Sequence, residues 1–153
     1  MTTPASVVKK SIAEIVINVN DIAQSCAFYE TVLGVQQHSQ FPAENPTIIF
    51  LTLADLETPL GRGGHPLLLA LIDPRRHPPA RKVFRGLDVG VSSLNHLAFE
   101  IAPEAYESEK RRLETLGLTL HEEVFPHTNA KAIFFRDPDG NTLEFICHDT
   151  LEE

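Results

Sequence analysis

Positive charge is scarce in this sequence: 13 Lys and Arg stand against 21 Asp and Glu, a formal charge of −8 over 153 residues. Nucleic acid and anionic membrane surfaces both ask for a basic face, so this balance argues against either as a general partner. Long apolar runs are missing too, and nothing approaches the roughly 20 residues of a membrane span. The opening Met1-Thr-Thr-Pro-Ala-Ser6 has no charged head and no apolar stretch of the secretory kind. Cysteine is sparse. Cys26 and Cys147 show neither CxxC nor zinc-ribbon spacing, so no disulfide framework or thiolate metal site is expected, and both read as buried thiols of a cytoplasmic protein. No Gly-rich phosphate loop, no Gly-x-Ser-x-Gly elbow and no setting for a cysteine nucleophile occurs.

What is present is a pattern that occurs twice. Ile12 to Val19 alternates as a strand, with Ile15, Ile17 and Val19 on one side and Glu14, Val16 and Asn18 on the other. Asn20-Asp21 offers a helix cap, and Ile22, Cys26, Tyr29 and Leu33 then mark one helical face, closed by Gly34. Strands follow at Val35–Gln40, Thr47–Leu53 and Leu67–Ile72, the last two separated by a glycine-bearing connection. The order returns with a strand at Asn95–Ile101, a helix at Glu104–Leu116 ended by Gly117, and strands at Leu118–Phe125, Ala132–Arg136 and Thr142–Cys147. Asp137-Pro-Asp-Gly-Asn141 is a strong turn before the last of these.

The expected fold is therefore α+β. Two βαβββ modules, residues 11–73 and 91–149, form a cupped mixed sheet, after a tail at 1–10 and around a linker at 74–90. Each module would bury one sheet face under its helix, and the open faces would form the cup. Exposed edges on small modules favour a homodimer. The 74–90 segment is basic and proline-rich. It reads as a solvated linker, or as a contact for an anionic substrate tail.

Strand parity sends Glu14, His96 and Glu144 toward the open face. Ionisable groups in an apolar concavity are costly unless paired, hydrated or metal-bound. The residues alone leave two readings. One is a divalent ion held by these three side chains, chosen from Mn, Fe, Ni, Co or Zn. The other is two partly exposed carboxylates and a hydrogen-bonded histidine. Asn18 shares the open-face parity and is a candidate for substrate contact. His38, His65, His77, His121, His127 and His148 show no pairing in the sequence and read as surface or loop residues.

The opening Glu14-Ile-Val-Ile-Asn-Val-Asn-Asp21 with Phe28-Tyr29 and Val32-Leu-Gly34, the start of the second module at Asn95-His-Leu-Ala-Phe-Glu100, and the closing Phe134-Phe-Arg-Asp-Pro-Asp-Gly-Asn-Thr-Leu-Glu144 together resemble the vicinal oxygen chelate superfamily. That superfamily includes glyoxalase I, extradiol dioxygenases, fosfomycin-resistance thiol transferases, methylmalonyl-CoA epimerase and bleomycin-binding proteins. The resemblance implies metal ligands at His96 and Glu144, and in the family pattern Phe134 faces the cup and lines the substrate pocket. Glu14 stands where many members have His or Gln, and Ala70 where four-ligand members have Glu or Gln. It implies a Glu14/His96/Glu144 site of zero formal charge with a divalent ion, a weaker Lewis acid than a two-histidine site. The expected function is a metal-dependent enzyme acting on a small oxygenated substrate. Glyoxalase-like lyase or isomerase chemistry comes first, with Glu144 or Glu14 moving the proton. An extradiol-type dioxygenase, or a non-enzymatic binder of a drug or metabolite, is the alternative.

Overall fold

A computed structural model describes residues 12–57, 66–83 and 94–148. The elements run β1 (Glu14–Asn18), α1 (Ile22–Leu33), β2 (Gln36–Phe41), β3 (Ile48–Glu57), β4 (Pro66–Ile72), α2 (Pro78–Val83), β5 (Leu97–Glu100), α3 (Tyr106–Thr115), β6 (His121–Phe125), β7 (Ala130–Arg136) and β8 (Thr142–His148). The architecture is α+β. The chain divides into two units, Met1–Arg85 and Gly86–Glu153. Each carries one four-stranded mixed sheet, ordered β1-β4-β3-β2 in the first and β5-β8-β7-β6 in the second. The expected tail at 1–10, the glycines at 61, 63 and 64, and positions 84–90 of the expected linker lie outside the described residues.

In both units the helix carries the chain from one sheet edge to the other. The following strands return as an antiparallel meander until the fourth lies parallel to the first. The helix ends are set locally. Asp21, extended at φ −128°, accepts a hydrogen bond from the Gln24 amide at 3.0 Å, and Gly34 closes α1 in the left-handed region at φ 67°. Gly117 plays the same part after α3 at φ 82°, its amide bonding to the Glu114 carbonyl.

Alternation along each strand then decides what is buried. On the α1 side of the first sheet lie Ile49, Leu51, Leu69 and Leu71, and α1 meets them with Ile22, Cys26, Tyr29 and Val32. In the second unit Ile133, Phe135, Leu143, Phe145 and Cys147 are buried on the corresponding side. Tyr106 of α3 reaches down to the Ala132 carbonyl at 3.2 Å and to Glu122 at 3.0 Å. Neither cysteine is in a disulfide, and both are buried. Burial, with the nearby Glu30 carboxylate, pushes the Cys26 thiol up to about 11, so it stays protonated and inert.

The two ladders also agree in register. Ala70 lies beside Val16 on β1 and Phe50 on β3, and Glu144 lies beside Ala98 on β5 and Phe134 on β7. Matching Ala70 to Glu144 therefore matches Phe50 to Phe134 and Glu14 to His96.

The segment after β4 differs from an irregular connection. A turn at 74–76 leads into α2, which begins on Pro78. Proline is tolerated at the first helical position because its missing N–H would have no partner there anyway. Ala80 of α2 packs against Ile48, Ala70 and Ile72 on the sheet face opposite α1, beside Phe50. The turn is pinned by Asp73, whose buried carboxylate takes bonds from the Arg75 amide and guanidinium. Arg75 also donates to the Asn20 carbonyl, and Arg76 donates to Asn45. These two guanidiniums are committed to protein acceptors, so the expected contact with an anionic tail finds no support at them.

Two outcomes follow for stability. In the β7–β8 turn the Asp137 carboxylate accepts from the Asp139 and Asn141 amides and from the Asn141 side chain, all within 2.9 Å. Asp137→Ala leaves these donors without their charged acceptor and should cost about 2–3 kcal/mol, read by urea denaturation. For Asp73, burial raises the carboxyl, but bonds from Arg75 and the charges of Arg75 and Arg76 outweigh it and hold it below its ordinary 3.8. A depressed folded value gives stability that is present above 3.8 and lost as pH falls through the folded value. The stability gap between wild type and Asp73→Asn should therefore narrow on acidification below that point.

Candidate functional site

β8 is the second strand of its sheet, flanked by β5 and β7, so Glu144 has neighbours on both sides. Leu143 and Phe145 point into the helix-side core, which forces Glu144 onto the opposite face. There it is only 4% exposed. A carboxylate so far from water needs a partner, and His96, just ahead of β5, supplies one: Nε2 lies 3.0 Å from Glu144 Oε2. The other ring nitrogen, Nδ1, lies 2.6 Å from Asn95 Oδ1. Both partners offer oxygens, so each ring nitrogen faces an acceptor, and with Nδ1–H on Asn95 the Nε2 side is where a proton or a cation is held against Glu144.

Two acceptors facing each other at 3.0 Å repel unless a proton or a cation serves both. Imidazole nitrogen and carboxylate oxygen are a donor set that suits a divalent first-row ion. Their separation also suits adjacent ligands of one ion, which stand about 3 Å apart when each bond is ~2.1 Å long. Fixing the imidazole through its remote nitrogen is the usual outer-sphere arrangement of a ligating histidine. The pair present fits a metal. Among the described residues, however, no three His, Cys, Asp or Glu side chains gather into one metal-binding group.

Phe134, paired with Glu144 across the β7–β8 ladder, sets its ring edge-on to His96 at 5.8 Å between centroids. His96, Glu144 and Phe134 are thus together. Glu14 and Asn18 belong to the first unit, on β1, where Glu14 is exposed opposite Leu68 and Asn18 is half-buried opposite Ile72. The position that matches Glu144 there is Ala70, fully buried among apolar side chains, so the first sheet has no carboxylate at that place.

Sequence reading passed over two histidines on the same face. His121, opposite Phe134 on β6, bonds Glu123 through Nε2 at 2.6 Å. His148 on β8 lies 3.2 Å from Glu100 on β5. With His96–Glu144, three His–Glu pairs stand on one face of one sheet. The Glu100 and His148 pairing repeats the 96/144 diagonal four residues on, with the two residue types exchanged between strands. His121 and Glu123 share a side of β6, a spacing-of-two signal visible in the sequence. The cross-strand pairs needed the register.

The glyoxalase/bleomycin resistance protein/dioxygenase superfamily model matches residues 11–145. The chain belongs to this superfamily. Its sequence is 26% identical over 135 residues to glutathione transferase FosA of Serratia marcescens, covering 88% of this chain and 79% of that protein. Lactoylglutathione lyase from Agrobacterium tumefaciens has the same fold, with a TM-score of 0.63 at 23% identity, over 92% of this chain and 95% of that one. So has a FosX variant from Listeria monocytogenes in complex with Mn(II) and 1S,2S-dihydroxypropylphosphonic acid, with a TM-score of 0.68 at 18% identity, over 95% and 96%. The family agrees with the resemblance in the sequence motifs, and its members named here are enzymes.

The hold of Asn95 on His96 has a direct readout. Nitrogen-15 NMR of metal-free protein should show an Nδ1–H hydrogen-bonded to Asn95 alongside the proton held between Nε2 and Glu144. Asn95→Ala should remove the Nδ1 hydrogen bond and shift that nitrogen's resonance, with the fold unchanged by circular dichroism.

Proposed function

We propose that this protein is a metal-dependent enzyme of the vicinal oxygen chelate type, acting on a small molecule that carries two adjacent oxygens. The observation that carries this is the His96 Nε2–Glu144 Oε2 pair, nearly buried at the carboxylate and held at Nδ1 by Asn95. His96 and Glu144 are the first two ligands in this reading. Glu14 is the third, because the strand registers match it to His96. The ion, drawn from Mn, Fe, Ni, Co and Zn, supplies Lewis-acid polarisation of the substrate's two oxygens. The Mn(II) of the FosX complex supports a hard divalent ion.

The chain's own residues do the remaining work. Asn95 fixes the ring plane of His96. Phe134 gives the substrate an apolar wall that excludes water from the Glu144 carboxylate. Glu144, or Glu14 from its exposed place on β1, takes the proton from the carbon beside the polarised oxygens and returns it to the neighbouring position. That is glyoxalase-like isomerase or lyase chemistry. It ranks ahead of fosfomycin-type addition because each described histidine on this face is matched by a glutamate, and a neutral imidazole beside a carboxylate leaves the face negative, which disfavours a phosphonate dianion. The same reading puts the enzyme in the cytoplasm as a homodimer, with no membrane or nucleic-acid partner. No helix among the described residues is long and apolar enough to cross a membrane.

The test is metal binding followed by turnover. Stripped wild-type protein titrated calorimetrically with the five ions should bind at least one. Glu144→Ala should lose at least about a hundredfold in metal affinity and lose activity with it, whereas Phe134→Ala should keep its metal. Loaded enzyme should form lactoylglutathione from methylglyoxal and glutathione faster than it adds glutathione to fosfomycin. Folded wild-type protein that binds none of the ions would instead support a binding protein of the bleomycin-resistance kind.

A further inference from the structure

Phe134 has histidines on both sides. Its ring centroid lies 5.8 Å from that of His96 and 6.3 Å from that of His121. His121 stands opposite Phe134 in the β6–β7 ladder, so the two side chains leave the sheet on the same face. Its Nε2 faces Glu123. Glu123 can only accept, so Nε2 carries the proton in the 2.6 Å bond between them. In the neutral ring Nδ1 is then an acceptor turned away from Glu123. Exposed ion pairs contribute little to stability, and both members of this one are exposed, so folding gives no strong reason for the pair. An imidazole oriented by a carboxylate, next to an aromatic wall shared with His96 and the buried Glu144 carboxylate, is an arrangement for contact with a ligand.

We propose that His121, oriented by Glu123, binds the far end of the substrate. The ligand would place its two adjacent oxygens at the His96–Glu144 end, lay an apolar middle over Phe134 and donate a hydrogen bond from a hydroxyl or amide to His121 Nδ1. His121 is thus a specificity residue that selects vicinally oxygenated molecules with a donor at the distal end. This rests on the chelate reading given above, and the test keeps the two apart.

The probes are 2-hydroxyhexanoate and 2,6-dihydroxyhexanoate, which share a chelating end and differ in one terminal hydroxyl. Manganese uptake by the full-length protein is first read by electron paramagnetic resonance. The loaded protein is then titrated with each acid. Wild type should bind the dihydroxy acid about fivefold tighter, the scale of one net hydrogen bond. His121→Ala should erase that difference and leave the affinity for 2-hydroxyhexanoate within about twofold. His121→Asn keeps an acceptor near the Nδ1 position and should restore part of the preference. Equal affinities in wild type, or an equal loss for both acids in His121→Ala, overturn the role of His121 and leave the chelate reading standing. A wild type that takes up none of the five ions, or takes one up and binds neither acid, overturns the chelate reading, and the proposal for His121 falls with it.

Discussion

A carboxylate on an inner strand, almost removed from water, is the constraint around which the second unit is arranged. Glu144 has only 4% of its surface exposed, and its burial is tolerable because His96 meets it at 3.0 Å. That contact needs β5 and β8 to run parallel in one register, with Ala98 beside Glu144 so that His96 reaches it along the diagonal. The parallel pairing in turn needs α3 to carry the chain across the sheet and the meander to bring it back. The Asp137 turn delivers β8 in that register through its own carboxylate. A slip of one residue would exchange Glu144 for Leu143 or Phe145 and put a charge into the helix-side core.

Much of this was legible from residue order alone. Alternation around Ile15, Ile17 and Val19, and around Leu97, Phe99 and Ile101, marks the first strand of each module. Gly34 and Gly117 mark the helix ends because only their left-handed backbone closes a helix cheaply. Parity assigns Glu144 to the open face, and the family pattern places Phe134 beside it. Strand bounds moved by a few residues: β6 begins at His121, and β3 runs on to Glu57. Less legible was anything set by partners distant in sequence. His148 and Glu100 are 48 residues apart and meet only once β5 and β8 are aligned. The helix at Pro78–Val83 was hidden by its own prolines, which suggest a break but serve here as a start.

The histidines on this face show how much environment separates residues of one type. His96 faces a carboxylate with almost no access to water, while the partners of His121 and His148 remain well exposed. Water screens the two exposed pairs and leaves each worth little. The buried carboxylate loses that screening, so the species beside it, proton or cation, carries a larger electrostatic consequence. The sheet thus grades its polar groups from reactive to accommodating within a few strands.

The packing of Ala80 onto Ile48, Ala70 and Ile72 bears on how a duplicated architecture divides its labour. The first sheet has spent the face opposite α1 on its own chain, and the position equivalent to the reactive carboxylate holds a methyl group. Substitutions at Ile48, Ala70 and Ile72 follow packing volume, whereas Glu14 on the same sheet is held by the role proposed for it. The second sheet keeps its polar face and with it the constraint of chemistry. Tolerance to substitution should therefore differ between these three packed positions and the His96–Glu144 face. A polar group introduced at Ala70 would meet Ile48, Ile72 and Ala80, so a carboxylate is accommodated there only by displacing α2.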